Sequence, residues 1–174
     1  MKRQHAFTLV ELMVTLAVLG ISLMVAVPSF LGITRSNRSA TETNALVGAL
    51  NIARSEAAKR STTVSVCTSS NGATCAAGIG WNNGWIVFVD NNTPAQVDAG
   101  DTILRIYGKV SAANNISASA ALTNFITYRA DGFSTAQGDF ILCDDSGAPS
   151  ARDIRVSRTG RISLSTGGGT CTAP

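Results

Sequence analysis

Residues 7–27 are almost continuously apolar, and this run constrains the chain more than anything else in it. As a helix rising 1.5 Å per residue it extends about 31 Å, close to the roughly 30 Å hydrocarbon core of a bilayer. It is broken by Thr8, Thr15, Ser22 and one acid, Glu11, and it follows a short positive region made by Lys2 and Arg3. A secretory signal peptide and a plain membrane anchor are the ordinary readings of such a segment. Two details speak against both. A signal peptide carries its small-residue cleavage site after the apolar region, whereas Ala6 lies before it. Glu11 sits inside the apolar stretch, where a carboxylate is costly and is usually paired or functional.

The rest of the chain is long enough for one folded domain with its own core. Of 174 residues, 45% are hydrophobic and 14% charged, a balance that argues against a disordered chain. The formal net charge of +3, from 14 basic and 11 acidic side chains, is too mild to mark a nucleic-acid binder by composition. His5 is the sole histidine, which removes most histidine-based catalysis and zinc ligation. With no Gly-rich phosphate loop and no nucleophile–base pair either, the expectation is a protein that is not an enzyme and takes no cofactor.

Residues 31–60 keep a helical register. Leu46, Leu50 and Ala53 recur at spacings of three and four, with Ala49 and Ala57 on the same stripe. That is the pattern of an amphipathic helix packed on its own domain. Arg54, Glu56, Lys59 and Arg60 lie near its carboxyl end, where basic side chains complement the helix dipole. Joined to the first run, this segment predicts one long helix, interrupted or bent near Pro28. After Ser61 the period changes. Residues 62–67, 85–89, 102–107, 125–128, 140–143, 153–157 and 161–165 read as short strands between segments rich in Gly, Asn, Asp and Ser. Residues 111–121, mostly small and polar, read as a loop or weak strand. A long helix followed only by strands indicates an α+β domain, without an internal repeat or a second domain.

Cys67, Cys75, Cys143 and Cys171 are even in number and allow three disulfide connectivities. The favoured one joins Cys67 to Cys75 across a short Ser/Asn/Gly loop and Cys143 to Cys171, fastening the tail to a strand. Zinc is the competing reading, but no histidine lies nearby and no CxxC pair exists. Disulfides place the domain in an oxidising compartment such as a periplasm or cell surface. Asp90, Asn91, Asn92, Asp98 and Asp101 suggest a calcium loop, yet Pro94 occupies an expected ligand position and no glycine stands at the sixth, so a polar hairpin connection is the better account. Arg152, Arg155, Arg158 and Arg161 cluster late, opposed locally by Asp153. Arg158-Thr159-Gly160-Arg161 has the form of a hairpin turn that presents two guanidiniums able to grip phosphates.

A short basic leader followed by Phe7-Thr8-Leu9-Val10-Glu11 and the apolar run resembles a type IV prepilin or type II secretion pseudopilin. The resemblance implies that a prepilin peptidase cuts between Ala6 and Phe7 and methylates the new amino group of Phe7. Such families most often have Gly just before the cut, where this chain has Ala6. Glu11 then becomes the fifth mature residue, the position of the family's assembly glutamate, and Pro28 matches a proline common in pilin helices. A carboxylate in hydrocarbon needs a cation, which the terminal ammonium of a neighbouring subunit's Phe7 supplies. A second resemblance rests on Trp81-Asn82-Asn83-Gly84-Trp85-Ile86-Val87-Phe88, on Gly100-Asp101-Thr102-Ile103-Leu104-Arg105 and on Ala53-Arg54-Ser55-Glu56-Ala57. Together these are similar to the GspH/FimT (FimU-like) minor pilins, and the likeness covers nearly the whole chain. Trp81 and Trp85 themselves read as core aromatics beside a Gly turn.

The two resemblances imply a type IV pilin-like fold, with a long N-terminal transmembrane and amphipathic helix packed on a C-terminal antiparallel β-sheet domain. They divide the chain into a leader (1–6), a membrane and filament-core helix (7–30), the amphipathic half of the helix (31–60) and a globular domain (61–174). The implied role is a structural subunit that joins, and helps initiate, a type IV pilus or type II secretion pseudopilus. Its implied partners are other minor and major pilins or pseudopilins, the prepilin peptidase, the inner-membrane assembly platform and the membrane. The implied location is the bacterial inner membrane, single-pass with the C-terminal domain in the periplasm, and then the filament. Some FimT-type pilins bind DNA through a tail motif G-R-x-R. Gly160-Arg161-Ile162-Ser163 keeps the first arginine and lacks the second, with Arg158 available in its place, so a DNA receptor is the alternative.

Overall fold

The computed structural model describes residues 8–92, 95–145, 150–168 and 170–171, apart from the side chains of Val25 and Pro28. Helix α1 (Leu9–Arg60) comes first, followed by strands β1 (Val64–Thr68), β2 (Trp85–Val89), β3 (Thr102–Tyr107), β4 (Asn114–Ala118), β5 (Phe125–Tyr128), β6 (Gly138–Asp144), β7 (Arg152–Val156) and β8 (Ile162–Thr166). The chain divides into two compact units, one up to Asn37 and one from Arg38 onward. The first unit is α1 as far as Asn37. The second contains the remainder of α1 and every strand, as the α+β reading requires.

The strands form two antiparallel four-stranded sheets, ordered β3-β2-β1-β5 and β4-β6-β7-β8. Their inner faces close on the stripe of α1. Leu46, Ala49, Leu50, Ala53 and Ala57 are fully buried against Val64, Val66, Val87 and Ile126 of the first sheet and Ile116, Phe140, Leu142 and Ile154 of the second. Alanine at three of the five positions lets the strands approach the helix closely, while Leu46 and Leu50 each contribute about 1.5–3 kcal/mol on burial. The outer face of the first sheet carries a smaller cluster of Cys67, Ile86 and Phe88, covered by Cys75, Val97 and Ile103.

Two features depart from the sequence reading. The first strand runs Val64–Thr68 rather than from residue 62, because Ser61 takes a left-handed conformation (φ 52°) as the helix ends. Residues 114–118, expected as a loop or weak strand, form the complete strand β4. Its register with β6 is continuous from Asn114 opposite Asp144 to Ala118 opposite Phe140. Only Ile116 supplies a large apolar side chain, so backbone pairing and not local propensity makes this strand. Its outer side is closed by Asn82, whose side-chain oxygen accepts the Ile116 N–H.

The Trp81–Trp85 motif has a packing explanation. Residues Trp81–Asn83 form a single 3-10 turn, and Gly84 (φ 107°) swings the chain into β2. The Trp81 indole donates to the Leu122 carbonyl at 2.8 Å and meets the Phe140 ring edge-on at 4.9 Å, while Trp85 stacks on Tyr107 at 5.4 Å. Both rings are core residues. Cys67 is bonded to Cys75 and Cys143 to Cys171, with Cα atoms 5.6 and 5.7 Å apart. In the chain-entropy account, cross-links of this span are worth about 2–4 kcal/mol each. Beyond β2, Asn91 bonds to Asp101 and Asn92 to Asp98, as side chains of a polar connection do.

A Cβ at Gly84 would stand 2.5 Å from the Tyr107 carbonyl oxygen, whereas one at Gly168 meets nothing within 4 Å. Gly84→Ala is therefore expected to lower unfolding free energy by about 2 kcal/mol or more, and Gly168→Ala to leave it within about 0.5 kcal/mol. Denaturant titration followed by fluorescence of the two buried tryptophans measures both. Equal stability of the two variants contradicts the packing account.

Candidate functional site

The first unit presents an apolar helix with no cover of its own. Its large side chains are exposed on every side, from Leu9 (74%) through Met13, Leu16, Ile21 and Phe30 to Ile33 (57%). Among the described residues, α1 is the one helix long and apolar enough to cross a membrane. Glu11 lies in its first turn, and the Glu11 N–H donates to the Thr8 hydroxyl at 3.3 Å. Thr8-Leu9-Val10-Glu11 thus starts the helix with a side-chain cap, in the T-x-x-E order typical of helix starts, a signal the sequence reading passed over. An acid near the helix N-terminus is also favoured by the helix dipole. Ala6 and Phe7, the expected cleavage and methylation positions, lie outside the described residues, as does the Pro28 side chain; the helix itself is assigned continuously through Pro28.

Further along α1, polar side chains fix the domain. Glu42 accepts the Ser111 N–H at 2.7 Å with one carboxylate oxygen and the Asn114 side-chain amide with the other. The Ser39 hydroxyl donates toward Asn114 and Asp144. Beside these contacts lies a groove of about 620 Å³, bordered by Asn82, Lys109, Asn114, Asp144 and the Cys143–Cys171 bridge. Arg54, read from sequence as a helix-dipole partner, has a different task. Its Nε donates to the Gly132 carbonyl and an Nη to the Thr159 carbonyl, both at 3.1 Å, so one side chain ties two loops to the helix. Its place next to the buried Ala53 and four residues after Leu50 was the available clue.

The late arginines separate into two groups. The Arg155 Nε donates to Asp139 at 2.7 Å, with Asp153 at 3.9 Å. Arg158 and Arg161 flank the turn between β7 and β8; both are exposed, and neither makes an ion pair among the described residues. The turn itself is held firmly. Gly160 N–H donates to Ser157 and Ser134 N–H to Arg158. Gly160 (φ 73°) lies so close to the Gly132 carbonyl that no Cβ fits. Of the four late arginines, Arg158 and Arg161 are thus a pair of cations on a pinned turn with no ion-pair partner among the described residues, Arg155 is neutralised by Asp139, and Arg152 is half-buried within β7.

A family model described as type II transport protein GspH matches residues 42–160, more than half of the chain. The chain belongs to the GspH family. The prokaryotic N-terminal methylation motif matches residues 1–27. Two crystal structures of the Pseudomonas aeruginosa type IV minor pilin FimU share the fold. One, in space group P65, has 20% identity and a TM-score of 0.55, over 78% of this chain and 96% of that one. The other, in P21, has 21% identity and a TM-score of 0.57, over 83% of this chain and 98% of that one. A search among curated proteins finds no match. This GspH-family chain is a structural pilin or pseudopilin subunit of a type IV pilus or type II secretion pseudopilus, and has the type IV pilin-like fold of a long helix packed on antiparallel sheet. Its apolar N-terminal helix and C-terminal β-domain are consistent with an inner-membrane anchored pilin topology.

One carboxylate beside the basic hairpin, that of Asp153, responds to pH differently from an ordinary one. Burial, reinforced by the charge of Asp139, pushes the Asp153 carboxyl up, against the pull of Arg155. One Asp153 oxygen is buried with no hydrogen-bond partner among the described residues. The folded state binds this proton more tightly than the unfolded chain does, so the Asp153 contribution falls as pH rises above the ordinary value of 3.8. Asp153→Asn is expected to flatten that decline and to be no less stable at neutral pH, read from denaturation midpoints across the acid range. An unchanged slope contradicts the assignment.

Proposed function

We propose that this subunit is a minor pilin or pseudopilin, processed between Ala6 and Phe7, methylated on Phe7, and drawn from the inner membrane into a filament. The observation that carries the proposal is the uncovered apolar helix with a single acid in its first turn. Such a surface is stable only in hydrocarbon or against other helices of the same kind. In this reading the Glu11 carboxylate pairs with the Phe7 ammonium of a neighbouring subunit as the helix leaves the membrane, and the pairing sets axial register. Pro28, within the same unit, supplies a place for the helix to bend or locally unwind during that transfer. The prepilin peptidase, the inner-membrane assembly platform and other pilins or pseudopilins are its partners, and the β-domain is periplasmic before assembly. The two disulfides support that placement, since they persist in oxidising compartments.

Glu11→Ala tests the central step. The expected variant is processed and held in the membrane but absent from sheared filaments, with piliation or secretion reduced to the level of the deletion strain. Normal incorporation of Glu11→Ala into filaments overturns the pairing.

DNA reception is the second reading, favoured by one observation, the two free cations Arg158 and Arg161 on a rigid turn. Two arginines neutralise fewer phosphates than the six to ten contacts of a typical strong binder. In a gel shift with detergent-solubilised full chain, this reading expects salt-sensitive binding that is lost in Arg158→Ala/Arg161→Ala; no shift at low salt rejects it.

A further inference from the structure

The two sheets have four edge strands, and three are closed or guarded. The outer side of β5 is covered where Tyr128 bridges Ser134, with Arg129 N–H donating to the Phe133 carbonyl and Thr135 N–H to that of Thr127. β4 is covered by the turn at Trp81–Asn83 through the Asn82 side chain, which bonds both Ile116 and Asn115. β3 is open but carries Arg105 in mid-strand and faces a register irregularity at Val87/Phe88. A charge and a bulge are the devices by which natural edges discourage strand addition. β8 has neither. Its sequence Ile-Ser-Leu-Ser-Thr holds no charge and no proline, and its register with β7 is unbroken from Ile162 to Thr166.

The hydrogen bonding fixes which groups on β8 are free. Ser157 N–H donates to the Arg161 carbonyl at one end of the hairpin, and Gly167 N–H donates to the Ala151 carbonyl at the other. By antiparallel alternation, Ser163 and Ser165 then turn their N–H and C=O groups toward β7. Ile162, Leu164 and Thr166 turn theirs outward. No described residue bonds to those outward groups. Among the described residues of the tail, Cys171 is tied to Cys143 on β6, two strands inward from β8. Leu164 lies opposite the fully buried Ile154 and so on the core-facing side, yet it is 48% exposed. The reason is that, among the described residues, no strand beyond β8 extends that face.

Charge selects the occupant. Arg161 immediately precedes β8 and Arg158 stands in the turn, so the open edge is cationic at its start and neutral elsewhere. If two copies of β8 paired antiparallel, each Arg161 would face the neutral Thr166–Gly167 end of the other copy and find no counter-charge. An incoming strand from a different protein, with acid at the end that meets Arg161, answers both cations and the unpaired backbone.

We propose that the open edge of β8 is a docking site for an extended segment of a different protein. The segment adds antiparallel as a fifth strand and brings a carboxylate at its carboxyl end against Arg158 and Arg161. Backbone bonds to Ile162, Leu164 and Thr166 supply affinity, contact with Leu164 buries an apolar side chain, and the arginines set direction. The site is separate from the apolar helix and does not depend on the Glu11 pairing.

The test uses full-length protein in detergent micelles and two fluorescent peptides of alternating threonine and valine, one ending in two glutamates at its carboxyl end and the other in two lysines. The glutamate peptide is expected to bind at least tenfold more tightly. Leu164→Pro, which deletes one outward N–H and leaves the bonds to β7 in place, is expected to weaken it at least tenfold. The surface pair Arg158→Ala/Arg161→Ala is expected to abolish the preference, and it decides the matter by itself if the proline variant fails to fold. The proposal is overturned by equal binding of the two peptides, by no binding at millimolar peptide, or by a folded Leu164→Pro variant that binds as well as the parent. It is equally overturned if the chain self-associates through Leu164 without binding peptide, or if an oligonucleotide and not the peptide occupies the two arginines.

Discussion

The second unit depends on one contact, the seating of a narrow helix stripe between two sheets. Leu46, Ala49, Leu50, Ala53 and Ala57 are all fully buried, and residues from both sheets converge on them. Small side chains at three positions permit close approach, and the two leucines fill what the alanines leave. Each sheet alone would expose its inner apolar face; the helix stripe covers both inner faces at once. The disulfides, the 3-10 turn at Trp81–Asn83 and the loop bonds are arranged around that packing.

Polar groups then decide where the loops stand. Arg54 holds the carbonyls of Gly132 and Thr159, Glu42 holds the turn before β4, and Asn82 closes the outer side of β4. Asp90 is completely buried yet satisfied, accepting from the Ser65 hydroxyl and the Ala95 N–H. The consequence for function is a rigid hairpin between β7 and β8 that displays Arg158 and Arg161 without tying them to acids. Rigidity in the turn and freedom of the two cations arise from different side chains, so either can change without the other.

Much of this was legible. The shift from a 3.6-residue period to short alternating runs marked the end of the helix and seven of the eight strands. The even number of cysteines and the Gly turn between two tryptophans pointed to cross-links and core aromatics. What escaped was what depends on partners distant in sequence. β4 carries only one large apolar residue and exists because β6 and Asn82 satisfy its backbone. Arg54 looks like an ordinary C-terminal helix cation until the loops at residues 132 and 159 are placed beside it. The late arginines look alike in one dimension, and only Asp139 on a neighbouring strand separates Arg155 from Arg158 and Arg161.

By itself the sequence determined that the chain begins with an apolar, acid-bearing helix of membrane length and continues into a disulfide-linked α+β domain of pilin type. The helix and the α+β class follow from local hydrophobicity and periodicity, and the pilin type from the resemblance carried by Phe7-Thr8-Leu9-Val10-Glu11 and the Trp81-to-Phe88 segment. The tertiary structure alone decided that the strands divide into two sheets, that Arg54 latches two loops and that β8 is the edge left open and unguarded. These depend on which backbone groups find partners, and hydrogen-bond satisfaction between residues as many as 105 positions apart has no signature in the local pattern.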